Sequence, residues 1–95
     1  MYAAVRHYHF KKEESEKIDQ LVQDVLMPQL KKAQGFVSYY WVDTGEGEGA
    51  SLSVFKDKTG ADESIHLAAA FVKEHLGDSV MQKTEIIEGP VKANS

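Results

Sequence analysis

Phe36-Val37-Ser38-Tyr39-Tyr40-Trp41-Val42-Asp43, then Thr44-Gly45-Glu46-Gly47-Glu48-Gly49, then Ala50-Ser51-Leu52-Ser53-Val54-Phe55-Lys56, is the stretch on which the fold turns. The first run is aromatic and β-branched with no breaker in it, which is strand chemistry. The second alternates glycine with polar residues and reads as a turn. The third returns to strand-forming types. Two such runs joined by a glycine-rich loop form an antiparallel hairpin.

On the N-terminal side, residues 2–10 read as another strand, Tyr-Ala-Ala-Val-Arg-His-Tyr-His-Phe. A charged connector follows at 11–14, and Ser15 is the candidate N-cap of a helix. Ile18, Leu21, Val22, Val25 and Leu26 recur at helical spacing, continued by Leu30 and Ala33. Pro28 predicts a kink, or a helix ending near Met27 with a short turn after it. Gly35 is the stop.

On the C-terminal side, 57–62 reads as a connector. A second helix carries Ile65, Ala68, Ala69, Val72 and Leu76 on one side, with Asp62 or Ser64 as its cap and Gly77 as its end. The last strand runs over 82–88, where Gly89-Pro90 breaks it, and a tail follows. The order β-α-β-β-α-β defines an α+β domain of the ferredoxin-like type, expected to span residues 1–95 as one unit.

Composition excludes several functions. The formal net charge is −4, against a general nucleic-acid binder, which needs many cations to neutralise phosphate. There is no cysteine, hence neither disulfide nor thiolate chemistry. No apolar run approaches the ~20 residues that span a bilayer. Met1 to Arg6 lacks the basic and apolar regions of a signal peptide, so a cytoplasmic protein is expected. The loop 44–49 is no phosphate cradle: it joins two strands, and its glutamates repel phosphate.

Gly35-Phe36-Val37-Ser38-Tyr39-Tyr40-Trp41, Ser51-Leu52-Ser53-Val54-Phe55, Glu63-Ser64 and Glu88-Gly89-Pro90-Val91 follow one another at telling distances. In this order the chain resembles the antibiotic-biosynthesis-monooxygenase-like family of dimeric α+β barrels, over nearly its whole length. The resemblance implies a homodimer whose two sheets pack into a barrel with the helices outside. It also implies a cavity in each subunit between sheet and helices. Residues on both faces of the strands are apolar or aromatic, as in Val37, Tyr39 and Trp41 against Phe36, Tyr40 and Val42. A second covered face is expected on that ground as well.

Within that frame, Tyr39, Tyr40, Trp41 and Phe55 are candidates to bind an aromatic ligand, or else to fill the core and the dimer barrel. Arg6 is a candidate to bind a ligand carboxylate or enolate, or to pair with one of the many acidic residues. His66, early in the second helix, is the candidate proton acceptor, or else a surface residue. His75 suits the helix dipole. His7 and His9 share one face of the first strand but lack the further ligands of a metal site, so no metal is expected. Haem-degrading members resemble one another in an Asn on the first strand, a Trp ending the third and a His on the second helix. Only His66 lies in a comparable region here, and Phe55 stands at the end of the third strand. No cofactor is expected.

The function implied is a cofactor-independent monooxygenase or oxidase of a small aromatic hydroxyl or quinol compound. The substrate is deprotonated and its anion reacts directly with oxygen. A non-catalytic dimeric small-molecule binding protein, or an isomerase or lyase, would use the same pocket.

Overall fold

The computed structural model describes residues 1–77 and 80–95. Strand β1 is Tyr2–Phe10, and a single 3-10 turn, Lys12–Glu14, leads into helix α1, Ser15–Leu21. The path stays helical through a π turn, Val22–Leu26, into α2, Met27–Lys31. Then come β2, Phe36–Asp43, β3, Glu48–Phe55, helix α3, Lys58–His75, and β4, Met81–Pro90. The four strands form one antiparallel sheet in the order β2-β3-β1-β4. This is the ferredoxin-like α+β fold.

The π turn has a sequence cause. Ile18, Val22, Leu26 and Leu30 are all buried, at a constant spacing of four. Four residues of α-helix overshoot a full turn by about 40°, so such a stripe would drift off the sheet. A wider turn over Val22–Leu26, where the Met27 N–H reaches back to the Val22 carbonyl, returns it to the core. The same turn loosens the helix around the Asp24 carbonyl, four residues before Pro28, where the proline ring would clash. Helix therefore continues to Lys31 instead of stopping near Met27. Gly35, at φ 77°, ends the segment in the left-handed region.

Three boundaries differ from the sequence reading. Ser15 is not a cap: it lies inside the helical path, and its hydroxyl donates to Asp43 Oδ1 at 3.5 Å. Helix α3 starts at Lys58, ahead of Asp62 and Ser64, because Asp57 caps it by accepting from the Gly60 N–H at 3.3 Å. Ser64 is buried, with its hydroxyl donating to the Ala61 carbonyl at 2.6 Å. Strand β4 runs through Gly89 and Pro90, which pair with Ala3 and Tyr2. β4 is an edge strand, where a proline without N–H is tolerated.

The helices cover one face of the sheet. Ala4, Arg6, Tyr8 and Phe10 of β1 point to it, as do Ser51, Ser53 and Phe55 of β3. The larger core cluster joins Tyr8 and Phe10 to Ile18, Val22, Leu26 and Leu30, with Phe71 and Met81. Each such side chain contributes on the order of 2 kcal/mol by leaving water. The smaller cluster is Ala33, Phe55 and Ala61. Gly49 is fixed by packing: a Cβ there would stand 2.6 Å from the Trp41 indole. The opposite face is left open, with Val5, Tyr40, Val42 and Ile87 exposed at 40%, 59%, 57% and 62%.

Candidate functional site

Among the described residues, two depressions between the sheet and the helices stand out. The first, about 150 Å³, sits between α3 and the β1–β4 half of the sheet. Its helical wall is Ile65, Ala68, Ala69 and Val72, the stripe whose spacing marks one face of α3. The two alanines make that wall thin and leave the space. Arg6 and Tyr8 come from β1 and Met81 and Lys83 from β4. Lys83 and Ala69 are exposed, so the cavity meets solvent on their side.

Arg6 is the unusual member. It is 1% exposed. Its Nε donates to Ser51 Oγ at 3.3 Å and its Nη2 to Ser53 Oγ at 3.0 Å. Both serines come from the neighbouring strand, where Ser51 is the direct cross-strand partner of Arg6. Its Nη1 is buried without a partner. No carboxylate pairs with it among the described residues. Hydroxyls satisfy donors but carry no charge, so the guanidinium stays uncompensated. An unpaired buried charge costs several kcal/mol even after relaxation. A fold that keeps one has a natural counter-ion in an anionic ligand.

Tyr8 stands beside Arg6 in this cavity. Burial pushes its phenol up, and the nearby guanidinium partly opposes that rise. It is a neutral hydrogen-bonding group at pH 7. Among the described residues, the lining contains neither a carboxylate nor an imidazole. The cavity can hold an anion and lower the pKa of a bound acid, and none of its described lining residues is a proton acceptor.

The second depression, about 370 Å³, lies between β2 and the α1–π segment. Tyr39, Tyr40 and Trp41 line it together with Asp19 and Asp43. Trp41 Nε1 donates to Asp19 Oδ1 at 2.8 Å. Burial raises the Asp19 carboxyl, the Trp41 N–H opposes the rise, and Asp43 beside it adds to it. Asp43 Oδ1 accepts from the Gly45 N–H at 2.8 Å, while its Oδ2 is buried without a partner. Burial pushes the Tyr39 phenol up to about 12.

The sequence candidates thus divide. Arg6 lies in the α3 cavity, and Tyr39, Tyr40 and Trp41 line the β2 cleft. Phe55 lines neither: it is wholly buried, edge-on to Phe36 with ring centres 5.8 Å apart. His66 is exposed on α3 and lies outside both linings. His7 and His9 lie on the open sheet face, each within 4 Å of the Glu48 carboxylate, at 3.8 and 3.7 Å. His75 lies against Phe71, ring centres 5.3 Å apart. No cluster of three or more His, Asp or Glu side chains is arranged for a metal among the described residues. No described helix is long and apolar enough to cross a membrane.

Sequence reasoning missed Tyr8, Met81 and Lys83. Tyr8 was within reach of it, two residues from Arg6 and so on the same face of β1.

No family model matches the chain, and no curated protein matches it by sequence. Its shape does match solved structures. A structure described as an antibiotic biosynthesis monooxygenase superposes with a TM-score of 0.70 at 14% identity, covering 100% of both chains. A dimeric ferredoxin-like protein from an uncultured marine organism gives 0.73 at 15%, over 99% of this chain and 96% of that one. A variant of MhuD, with two manganese protoporphyrin IX molecules bound per active site, gives 0.74 at 10%, over 100% and 98%. At these identities the likeness establishes the fold: a ferredoxin-like α+β chain of the shape used by monooxygenase-like proteins.

Proposed function

We propose that this chain is a cofactor-independent monooxygenase of a small hydroxyaromatic compound, bound in the α3 cavity as its anion. The observation that carries the reading is Arg6, a buried guanidinium with a free Nη1 and no carboxylate partner among the described residues, lining a cavity whose α3 wall is apolar. Such a cation favours phenolate over phenol, and a phenolate is electron-rich enough to meet oxygen directly. A phenol and O₂ then give a quinone and water. One oxygen atom bonds to a ring carbon, the other leaves as water with the displaced hydrogens, and the ring supplies all the electrons.

The proton goes to solvent through the Lys83 side in this reading. His66 is given no part, because a proton acceptor must lie within hydrogen-bond reach of the bound substrate, and His66 lies outside the lining. The likeness to the antibiotic biosynthesis monooxygenase fold supports the reaction class.

The active unit proposed is a homodimer joined through the open sheet face. Val5, Tyr40, Val42 and Ile87 give that face an apolar surface that no described helix covers. The marine neighbour is itself described as dimeric.

Oxygen uptake with ¹⁸O₂, in chelator, over hydroquinones, hydroxynaphthalenes and hydroxyanthrones tests the reading. One labelled atom in the product, formed by wild type and lost in Arg6→Met, is expected. A second reading, a carrier that binds without reaction, draws on the missing proton acceptor. Ligand retained through purification with no oxygen consumed would select it.

A further inference from the structure

Taken as the binding site of the proposed function, the α3 cavity restricts its ligand further by size and by charge. Two cationic side chains, Arg6 and Lys83, line it, and among the described residues no acidic side chain does. Arg6 is 1% exposed, and Lys83 stands exposed at the open side. A neutral ligand leaves the guanidinium unpaired. A ligand that is an anion before it enters can bind without giving up a proton, which suits a lining whose described residues hold no proton acceptor.

The body of that ligand must be mainly apolar, because Ile65, Ala68, Ala69, Val72 and Met81 form the rest of the described wall beside the Tyr8 phenol. It must also be small. An apolar cavity of about 150 Å³ accepts one benzene ring, and the volume here is about 150 Å³. Two fused rings exceed it unless α3 moves. A free phosphate or sulfate would satisfy the charge and waste the apolar wall.

We propose that the α3 cavity takes a monocyclic aromatic carboxylate, whose carboxylate meets Arg6 and whose ring lies against the alanine stripe of α3. Lys83 draws the anion to the mouth and stays solvated. The ring's aromatic character comes from the proposed oxygenase function; the single ring and the carboxylate come from volume and charge.

Calorimetric titration under argon tests this without any turnover. The ligands are 4-hydroxybenzoate, its neutral amide, and 6-hydroxy-2-naphthoate. The acid is expected to bind at least about tenfold tighter than either comparison ligand, as a site built around a polar group rejects analogues lacking its partner. Arg6→Met brings the acid down to the level of the amide. Lys83→Met, at an exposed position, weakens the acid severalfold and flattens its salt dependence. Equal binding of acid and amide, tighter binding of the naphthoate, or no binding of the acid would overturn the proposal. Selective binding in the absence of any oxygen uptake would leave it standing and reject the oxygenase. Uptake on larger neutral quinols, with no preference for the acid, would do the reverse.

Discussion

The Arg6 guanidinium donates to the Ser53 hydroxyl at 3.0 Å, and Ser53, like Ser51, offers it a dipole where an ion pair would offer a charge. β3 therefore positions Arg6 without neutralising it. This is how a receptor for an anion is built, and it sets function against stability.

Removing the charge should stabilise the empty protein. Arg6→Met with Ser51→Ala and Ser53→Ala replaces a buried polar group by apolar ones of similar reach. Swaps of this kind gain roughly 1–4 kcal/mol in other buried ionic sites. A higher urea midpoint with an unchanged slope is expected, together with loss of ligand binding. A marked drop in midpoint would mean that Arg6 holds the fold together.

The open sheet face should carry the dimer. Ile87→Glu and Val42→Glu place charge among exposed apolar side chains on a face that no described helix covers. Light scattering should show wild type at twice the chain mass and the double variant at one. Unchanged mass in both would place the interface elsewhere.

Asp19 should make stability fall as pH rises. Its folded carboxyl is held above the ordinary value, first by burial and then by Asp43. Between the ordinary Asp range and the raised value, the folded state binds more protons than the unfolded state. Stability from this group is full below that window and lost as pH climbs through it. Urea midpoints measured from pH 4 to 7 should fall less in Asp19→Asn than in wild type. Parallel profiles would remove Asp19 as the cause.

Gly49→Ala should loosen the β2 cleft. The added methyl would press on the Trp41 indole. A loss of about 1–3 kcal/mol is expected from overpacking, with Trp41 emission shifted to the red. Wild-type emission and stability would show that the indole sits elsewhere.

Much of the fold was legible because β1 and β2 are aromatic and β-branched runs without breakers, and their ends are found where the composition changes. The start of α3 was not, because Thr59-Gly60-Ala61 looks like turn chemistry. Gly60 is needed there for a different reason: a Cβ would stand 2.8 Å from the Phe55 ring. Arg6 was legible as a charge inside a strand, and its isolation was not, since only three-dimensional packing shows that no carboxylate among the described residues reaches it.

Lys83 was illegible on stricter grounds. Ile86 and Glu88 pair with Arg6 and Ala4, so plain alternation would put Thr84 and Gln82 on the helix side. The register slips between His7 and Tyr8, leaving Thr84 as the extra residue, and Lys83 and Met81 turn inward to pair with Tyr8 and Phe10. A bulge of one residue thus decides which side chains meet Arg6. Nothing in the composition of β4 announces it.

The most direct test is the ionisation of a phenol inside the α3 cavity. 4-Nitrophenol is a single ring whose phenolate is coloured, so its pKa can be read by absorbance while it is bound. If Arg6 is an anion receptor, the bound phenol should ionise at least about one unit below its free value, and Arg6→Met should abolish the shift. A bound pKa equal to or above the free value, as desolvation alone would give, would mean that Arg6 is no anion receptor.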